Sequence, residues 1–220
     1  MRTIRVTGKG MLRVKPDVMR ITLSLEGTDM EYGKTLEQSA RETEKLKELM
    51  AEFGLERASL KTLRFDVDTE YCRDKVGDSY ESRFAGYKYE HVMKVEFPAD
   101  RERLGKILYA LAHCPMQPEI RLSYTVSDPE GAKNELLSRA VTDAKEKARV
   151  LTQAAGVGLG SIQNIDYSWG EIEFEMRPMQ NMMMADALPC PTGGQGSYDL
   201  DIEPDEEEVT DTVSMIWEIS

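Results

Sequence analysis

Strict alternation of apolar and polar side chains in one early segment constrains the fold of this chain more than any other feature. From Asp17 to about Asp29 apolar side chains alternate with polar ones, and the apolar set is Met19, Ile21, Leu23 and Leu25. A period of two residues is that of a β-strand with one buried and one solvated face. The segment therefore predicts a long strand in a sheet that is covered on one side.

The same period predicts further strands along the chain. Residues 3–14 are typical of a strand or hairpin bent at Gly8 and Gly10, where a missing side chain tolerates a bulge. The other predicted strands cover about 63–71, 87–97, 120–126, 162–172 and 209–219. The polar stretch 73–83 predicts a long exposed loop between two of these strands.

Three segments have the period of an amphipathic helix, at about 30–53, 100–113 and 129–155. The last has Asp128 as a cap and Pro129 in its first turn, and it stops before Gly156. Its predicted inner stripe is Leu136, Ala140, Ala144, Ala148, Leu151 and Ala155. We therefore predict an α+β fold, a largely antiparallel sheet with about three amphipathic helices packed on one face, in a single domain over residues 1–220.

The net charge and the cysteine content limit the classes of partner that the protein can bind and the cellular compartments that suit it. The net charge of −12 repels a phosphate backbone, so we exclude nucleic acid as a partner. The three cysteines, Cys72, Cys114 and Cys190, form no Cys-x-x-Cys pair, and this pattern favours a reducing compartment. The chain shows neither a leader nor the roughly 20 apolar residues of a transmembrane segment. We expect a cytoplasmic protein, or a periplasmic or cell-surface protein if a leader has been removed.

Candidate catalytic chemistry is sparse. The two histidines are interpreted as a hydrogen-bonded sheet residue, His91, and a helix-terminal residue, His113. Asp66, Asp68 and Glu70 share one strand face, where carboxylates could bind a hard cation. Alternate positions on the solvated face of a strand give the same pattern, so we interpret them as a solvated face with cross-strand pairing. We predict no catalytic residue and no cofactor.

A methionine-, proline- and glycine-rich segment at about 175–203 is predicted to be a mobile loop. Within it Met182, Met183, Met184 and Cys190 are soft ligands suited to copper(I), and thioethers can also be oxidised sacrificially. Methionines equally form adaptable contact surfaces. Three interpretations stay open: a loop that packs or orders in an oligomer, a disordered segment, and a metal or redox site.

Several short motifs, taken in order, carry a family resemblance. They are Val6-Thr7-Gly8-Lys9-Gly10, Pro16-Asp17, Gly86-Tyr87, Ala154-Ala155-Gly156 and, after the methionine-rich segment, Ile202-Glu203-Pro204. Their order resembles that of the SIMPL domain family of bacterial proteins, which includes periplasmic immunogenic protein-like and oxidative-stress-associated members. The resemblance implies an α+β fold, a non-enzymatic role at the bacterial envelope or in oxidative-stress tolerance, and ring-like or channel-like oligomers. It supplies no catalytic residues, and many members are exported, so the absence of a leader is a departure.

Two hypotheses of function follow from the sequence. The first is a non-catalytic homo-oligomer that assembles through its sheet edges and the methionine-rich loop. The alternative is a copper-binding or oxidant-buffering protein that uses Met182, Met183, Met184 and Cys190.

Overall fold

The computed structural model describes residues 2–76, 79–167, 197–198 and 206–220. The described strands are β1 (Arg2–Val14), β2 (Val18–Asp29), β3 (Lys61–Val76), β4 (Ser79–Pro98), β5 (Glu119–Thr125), β6 (Leu159–Tyr167) and β7 (Glu207–Ile219). The described helices are α1 (Tyr32–Glu52), α2 (Arg101–His113) and α3 (Pro129–Ala155), with a short 3-10 helix at Arg57–Ser59. The predicted α+β class is confirmed.

The described strands form two sheets rather than the one that was predicted. Their orders are β1-β7-β6 and β3-β4-β2-β5. The pairs β1–β7, β6–β7, β2–β4 and β3–β4 are antiparallel. Alternation shows which face of a strand is buried but not which strand lies beside it, and β1 pairs with β7 from the opposite end of the chain.

Each sheet belongs to its own compact unit. The first unit contains the described residues of 2–17, 125–167 and 206–220, and the second contains those of 18–124 with 197–198. The single domain expected from the sequence stays a prediction.

The core of the first unit lies between α3 and the strands β1 and β7. Its buried residues are Val6, Ala140, Ala144, Ala148, Val213, Met215 and Trp217. A Cβ atom on Gly8 would lie 2.1 Å from the carbonyl oxygen of Ala140, and one on Gly10 would lie 2.1 Å from that of Leu136. The bulge predicted at these glycines is wrong, because β1 pairs with β7 in unbroken register. Both glycines instead let the backbone of α3 approach the strand.

The ends of α3 follow the predicted capping. The Asp128 carboxylate accepts a hydrogen bond of 2.8 Å from the Gly131 amide, and Gly156 ends the helix with φ of +69°. The inner stripe is confirmed from Leu136 to Ala148. Beyond it the prediction is wrong, because Thr152 is buried and Leu151 is exposed. Thr152 tolerates burial because its hydroxyl donates to the Ala148 carbonyl at 2.9 Å.

The core of the second unit confirms the alternation predicted for β2 and β4. The buried side chains of these strands are Met19, Ile21, Leu23, Leu25, Tyr89, His91, Met93, Val95 and Phe97. Helix α1 packs on both strands and buries Leu46 and Met50. Tyr32, predicted on the inner stripe of this helix, is half exposed.

The long loop predicted at 73–83 is wrong. Strands β3 and β4 stay paired as far as Val76 and Ser79, well past Tyr87, where β2 ends opposite β4. A two-stranded ribbon is held by backbone hydrogen bonds, which need no apolar alternation. The polar sequence of this region therefore gives no periodic signal for the paired ribbon.

We expect Gly8→Ala to lower the free energy of unfolding by about 1–3 kcal/mol, because its methyl group would overlap the backbone of α3. Gly33→Ala in α1 is the matched control, since a Cβ there meets no described atom within 4 Å. Urea unfolding followed by circular dichroism measures both variants. Equal stability of the two variants would contradict the close approach of α3 to β1.

Candidate functional site

An uncovered apolar strip on the edge strand β3 is the first feature of the candidate site. The register pairs Phe65 with His91 and Val67 with Tyr89, so these β3 residues share the face that α1 covers on β4. Helix α1 packs on β2 and β4, and β3 lies beyond it. As a result Phe65 is 42% exposed and Tyr71 is 57% exposed. We call Phe65, Val67 and Tyr71 the β3 strip.

A groove runs between α1 and β3 beside this strip. Its volume is ≈ 470 Å³. The groove is lined by three apolar side chains and by six polar or charged ones. They are Leu36, Ala40 and Phe65, with Ser39, Thr43, Glu44, Lys47, Thr62 and His91. Among the described strands β3 is an edge of its sheet, and a groove beside such an edge has a shape that accepts another strand or its side chains.

Hydroxyl groups hold the His91 ring from both sides. Thr43 Oγ1 donates its proton to the Ser39 carbonyl at 2.8 Å and lies 3.1 Å from His91 Nδ1. Since the Thr43 hydroxyl has only one proton, Nδ1 must donate to it, and Nδ1 therefore carries the ring proton. On the other side Nε2 accepts from Thr62 Oγ1 at 2.9 Å. The predicted hydrogen-bonded sheet histidine is confirmed.

Electrostatics keep this ring neutral. Burial lowers the pKa of His91, and the positive charge of Lys47 lowers the same pKa further. The ring of Phe65 meets the His91 ring edge-on, with 5.0 Å between centroids. His91 therefore acts as a neutral, fully hydrogen-bonded floor that fixes the position of Phe65 and Thr62 at the edge of the groove.

A row of aromatic rings extends the same face toward the β3–β4 ribbon. It runs Tyr32, Tyr87, Phe84 and Tyr71, with successive centroid separations of 5.4, 5.3 and 5.8 Å and edge-to-face geometry. Such contacts favour a fixed arrangement of the rings. The row therefore presents an ordered apolar surface in which Tyr32 and Tyr71 are exposed.

The first unit has an equivalent strip on its own edge strand. Strand β6 pairs with β7, where Ile162, Ile165 and Tyr167 lie opposite the core residues Trp217, Met215 and Val213, and Leu159 lies opposite Ile219. Their exposed fractions lie between 37% and 50%. Helix α3 packs chiefly on β1 and β7, which leaves these four side chains outside its cover. We call them the β6 strip.

The residues singled out for soft-metal chemistry are not placed by the structure. Met182, Met183, Met184 and Cys190 lie outside the described residues. Within the described ranges, no group of three or more His, Cys, Asp or Glu side chains could hold a metal ion. From the predicted loop at 175–203 the structure describes Ser197 and Tyr198 alone, and the Tyr198 amide donates to the Gly105 carbonyl of α2 at 3.3 Å.

The predicted solvated face of β3 is confirmed. Arg64 Nε lies 3.1 Å from the Asp66 carboxylate, and the guanidinium of Arg64 also contacts Glu90. Glu70 accepts a hydrogen bond from the Thr28 hydroxyl at 3.0 Å. The other histidine, His113, ends α2 as predicted, and its Nδ1 donates to the Tyr109 carbonyl at 2.8 Å.

Sequence reasoning missed the two strips, because alternation in β3 and β6 predicts a covered apolar face. The numbers of predicted helices and strands indicated that some strands would extend beyond the cover of a helix. About three predicted helices can cover only part of the strands predicted beside them, since a helix is roughly 10 Å wide and strands lie about 4.8 Å apart.

The fold and its strips define an α+β protein with two helix-covered antiparallel sheets, and the chain belongs to the SIMPL family. The model of that family, described as "Protein of unknown function (DUF541)", matches residues 4–217. Two curated relatives are named "26 kDa periplasmic immunogenic protein", one from Brucella abortus (strain S19) and one from Brucella melitensis biotype 1. Each is 28% identical over 163 residues, which cover 74% of this chain and 65% of the relative. The match thus spans just under two thirds of each relative.

None of the helices described here is long and apolar enough to cross a membrane.

We expect the stability of the protein to depend on His91 as the pH falls. Because the folded state lowers the pKa of His91 below its usual 6.5, the unfolded chain binds the proton first. The contribution of neutral His91 to stability is therefore present above about pH 6.5 and is lost as the pH falls below that value. His91→Gln should lower stability near neutral pH and reduce the loss between about pH 7.5 and pH 5.

The same substitution at His113, an exposed histidine, is the matched control. Urea unfolding at each pH measures the free energy of unfolding, and the slope of that free energy against pH is compared between the two variants. An equal change of slope in the two variants would contradict the role assigned to His91.

Proposed function

We propose that this protein is a non-catalytic assembly module that associates with further copies of itself through its edge strands. The observation that carries the proposal is the position of the helices. In each unit the helix that packs on the neighbouring strands, α3 in the first and α1 in the second, leaves the apolar side chains of one described edge strand partly exposed, at the β6 strip and at the β3 strip. A strip of this kind is stabilised when a second chain covers it.

The geometry around His91 supports a non-catalytic role. Its ring nitrogens are engaged by the hydroxyls of Thr43 and Thr62, and a lowered pKa weakens the ring as a base. The carboxylates Asp66 and Glu70 lie on the opposite face of β3 from this ring, so the two sets do not converge.

We further propose a location in the bacterial envelope. The name of the two relatives places those proteins in the periplasm, which supports the periplasmic alternative. The cytoplasmic location expected from the sequence gains no support from these relatives. A role in the oxidative-stress response stays a prediction.

The copper(I) alternative rests on the sequence of the methionine-rich segment. Titration of the protein with copper(I) against a competing chelator tests it, with a variant that lacks residues 176–191 as the comparison. If Met182, Met183, Met184 and Cys190 form a soft-metal site, the deletion abolishes the affinity. An unchanged affinity removes the alternative.

We expect the average mass measured by light scattering to rise above the monomer mass of 24.9 kDa as the protein is concentrated. Ile165→Lys should lower that mass, because it places a charge in the β6 strip. Asn164→Lys is the matched control, since the neighbouring side chain faces the other side of β6. A wild-type protein that stays monomeric at high concentration contradicts the proposal.

A further inference from the structure

Between Lys61 and Glu70 the charges along β3 change sign once, and this change falls at Phe65. On the solvated face the strand carries Lys61 and Arg64, followed by Asp66, Asp68 and Glu70. Both side chains of the Arg64–Asp66 pair are at least half exposed. Phe65 lies between these two residues on the opposite face. Among the described strands β3 is an edge of its sheet, and the segment from Lys61 to Glu70 is basic in its first part and acidic in its second.

A strand with this pattern is complementary to itself when it runs antiparallel. We propose that β3 pairs with β3 of a second copy about a two-fold axis at Phe65, an inference that rests on the proposed self-assembly. In this register Arg64 of each copy lies opposite Asp66 of the other. The β-bulge between Thr62 and Arg64 adds one residue, so Lys61 comes opposite Asp68. Opposite charges across an antiparallel pair stabilise it.

Neighbouring registers keep some opposite-charge pairs but also place like charges directly opposite each other. An axis at Asp66 sets Arg64 opposite Asp68 but places the Asp66 carboxylate opposite its own copy, and an axis at Val67 sets Arg64 opposite Glu70 but places Asp66 opposite Asp68. An axis at Arg64 sets two guanidinium groups against each other. Like charges directly opposite one another destabilise a strand pair. A shift by a single residue across the interface would place apolar side chains opposite charged ones, on the wrong face.

The apolar face favours the same axis. Phe65 of one copy meets Phe65 of the other, and Val67 lies opposite the bulge at Thr62 and Leu63 of the second copy. Leu63 is 53% exposed in the chain described here, so this pairing covers it. The groove beside α1, lined by both apolar and charged side chains of that helix, provides space for the incoming ring. Pairing would join the four-stranded sheet of each copy into one sheet of twice that width.

Charge reversal at Asp66 and Arg64 tests the ion pairs. Asp66→Arg and Arg64→Asp should each raise the dissociation constant of self-association by about tenfold, because each variant places like charges opposite one another at two symmetric positions. The double variant Arg64→Asp with Asp66→Arg should restore the wild-type value. Sedimentation velocity over a concentration series measures all three variants.

The opposite edge of the same sheet supplies the control. Arg121 on β5 pairs with Glu119 two residues away, as Arg64 pairs with Asp66, and Arg121→Asp should leave the dissociation constant unchanged. An equal effect of Arg121→Asp and Arg64→Asp would show a response to net charge alone and would overturn the proposal.

Disulfide trapping tests the register. In a background with Cys72→Ser and Cys190→Ser, Phe65→Cys should form a disulfide-linked dimer under mild oxidation, because residues on the axis face each other within disulfide range. Val67→Cys is the matched control on the same face. Its two copies would lie about 13 Å apart along the strands and should not link.

The outcomes separate this inference from the proposed function. A monomeric wild-type protein overturns both. A protein that assembles, but in which neither charge reversal nor Phe65→Cys has the expected effect, overturns the β3 pairing and leaves assembly through β6. A disulfide at Val67→Cys instead of Phe65→Cys overturns the register.

Discussion

The width of a helix relative to the spacing of strands governs both units of this protein. A helix is roughly 10 Å across and strands lie about 4.8 Å apart, so one helix covers about two strands. Helix α3 packs chiefly on β1 and β7, and α1 packs on β2 and β4. The apolar faces of β6 and β3 therefore lie beyond the edge of their helix, although their sequences alternate as those of covered strands do. The candidate site follows from this mismatch.

Local features of the sequence predict much of the fold. The alternation of β2 and the Asp128 cap depend on neighbouring residues, and both were confirmed. The function of Gly8 depends on a helix more than a hundred residues away, because the missing side chain makes room for the Ala140 carbonyl. Likewise, the pairing of β1 with β7 joins the two ends of the chain. Periodicity reports which face is buried and cannot report such distant partners.

The candidate site likewise has features that the sequence predicts and features that depend on distant residues. The chemical character of His91 could be predicted, because a histidine in the apolar register of a strand needs hydrogen-bond partners. That these partners would be Thr43 and Thr62 could not, since they lie on a helix and on another strand. The exposure of Phe65 could not be predicted either, because it depends on which strands α1 packs against and not on the residue itself.

An exposed strand edge normally invites unspecific pairing, and charged side chains are the usual protection. Between Lys61 and Glu70 strand β3 carries such charges, and in that segment they are segregated by sign instead of being alike. A row of one sign would repel every second copy equally, whereas a segment with a single change of sign favours the register in which no like charges lie directly opposite. The aromatic and aliphatic side chains on the other face then supply the burial that holds that register. The charges that exclude wrong neighbours thereby also select the right one.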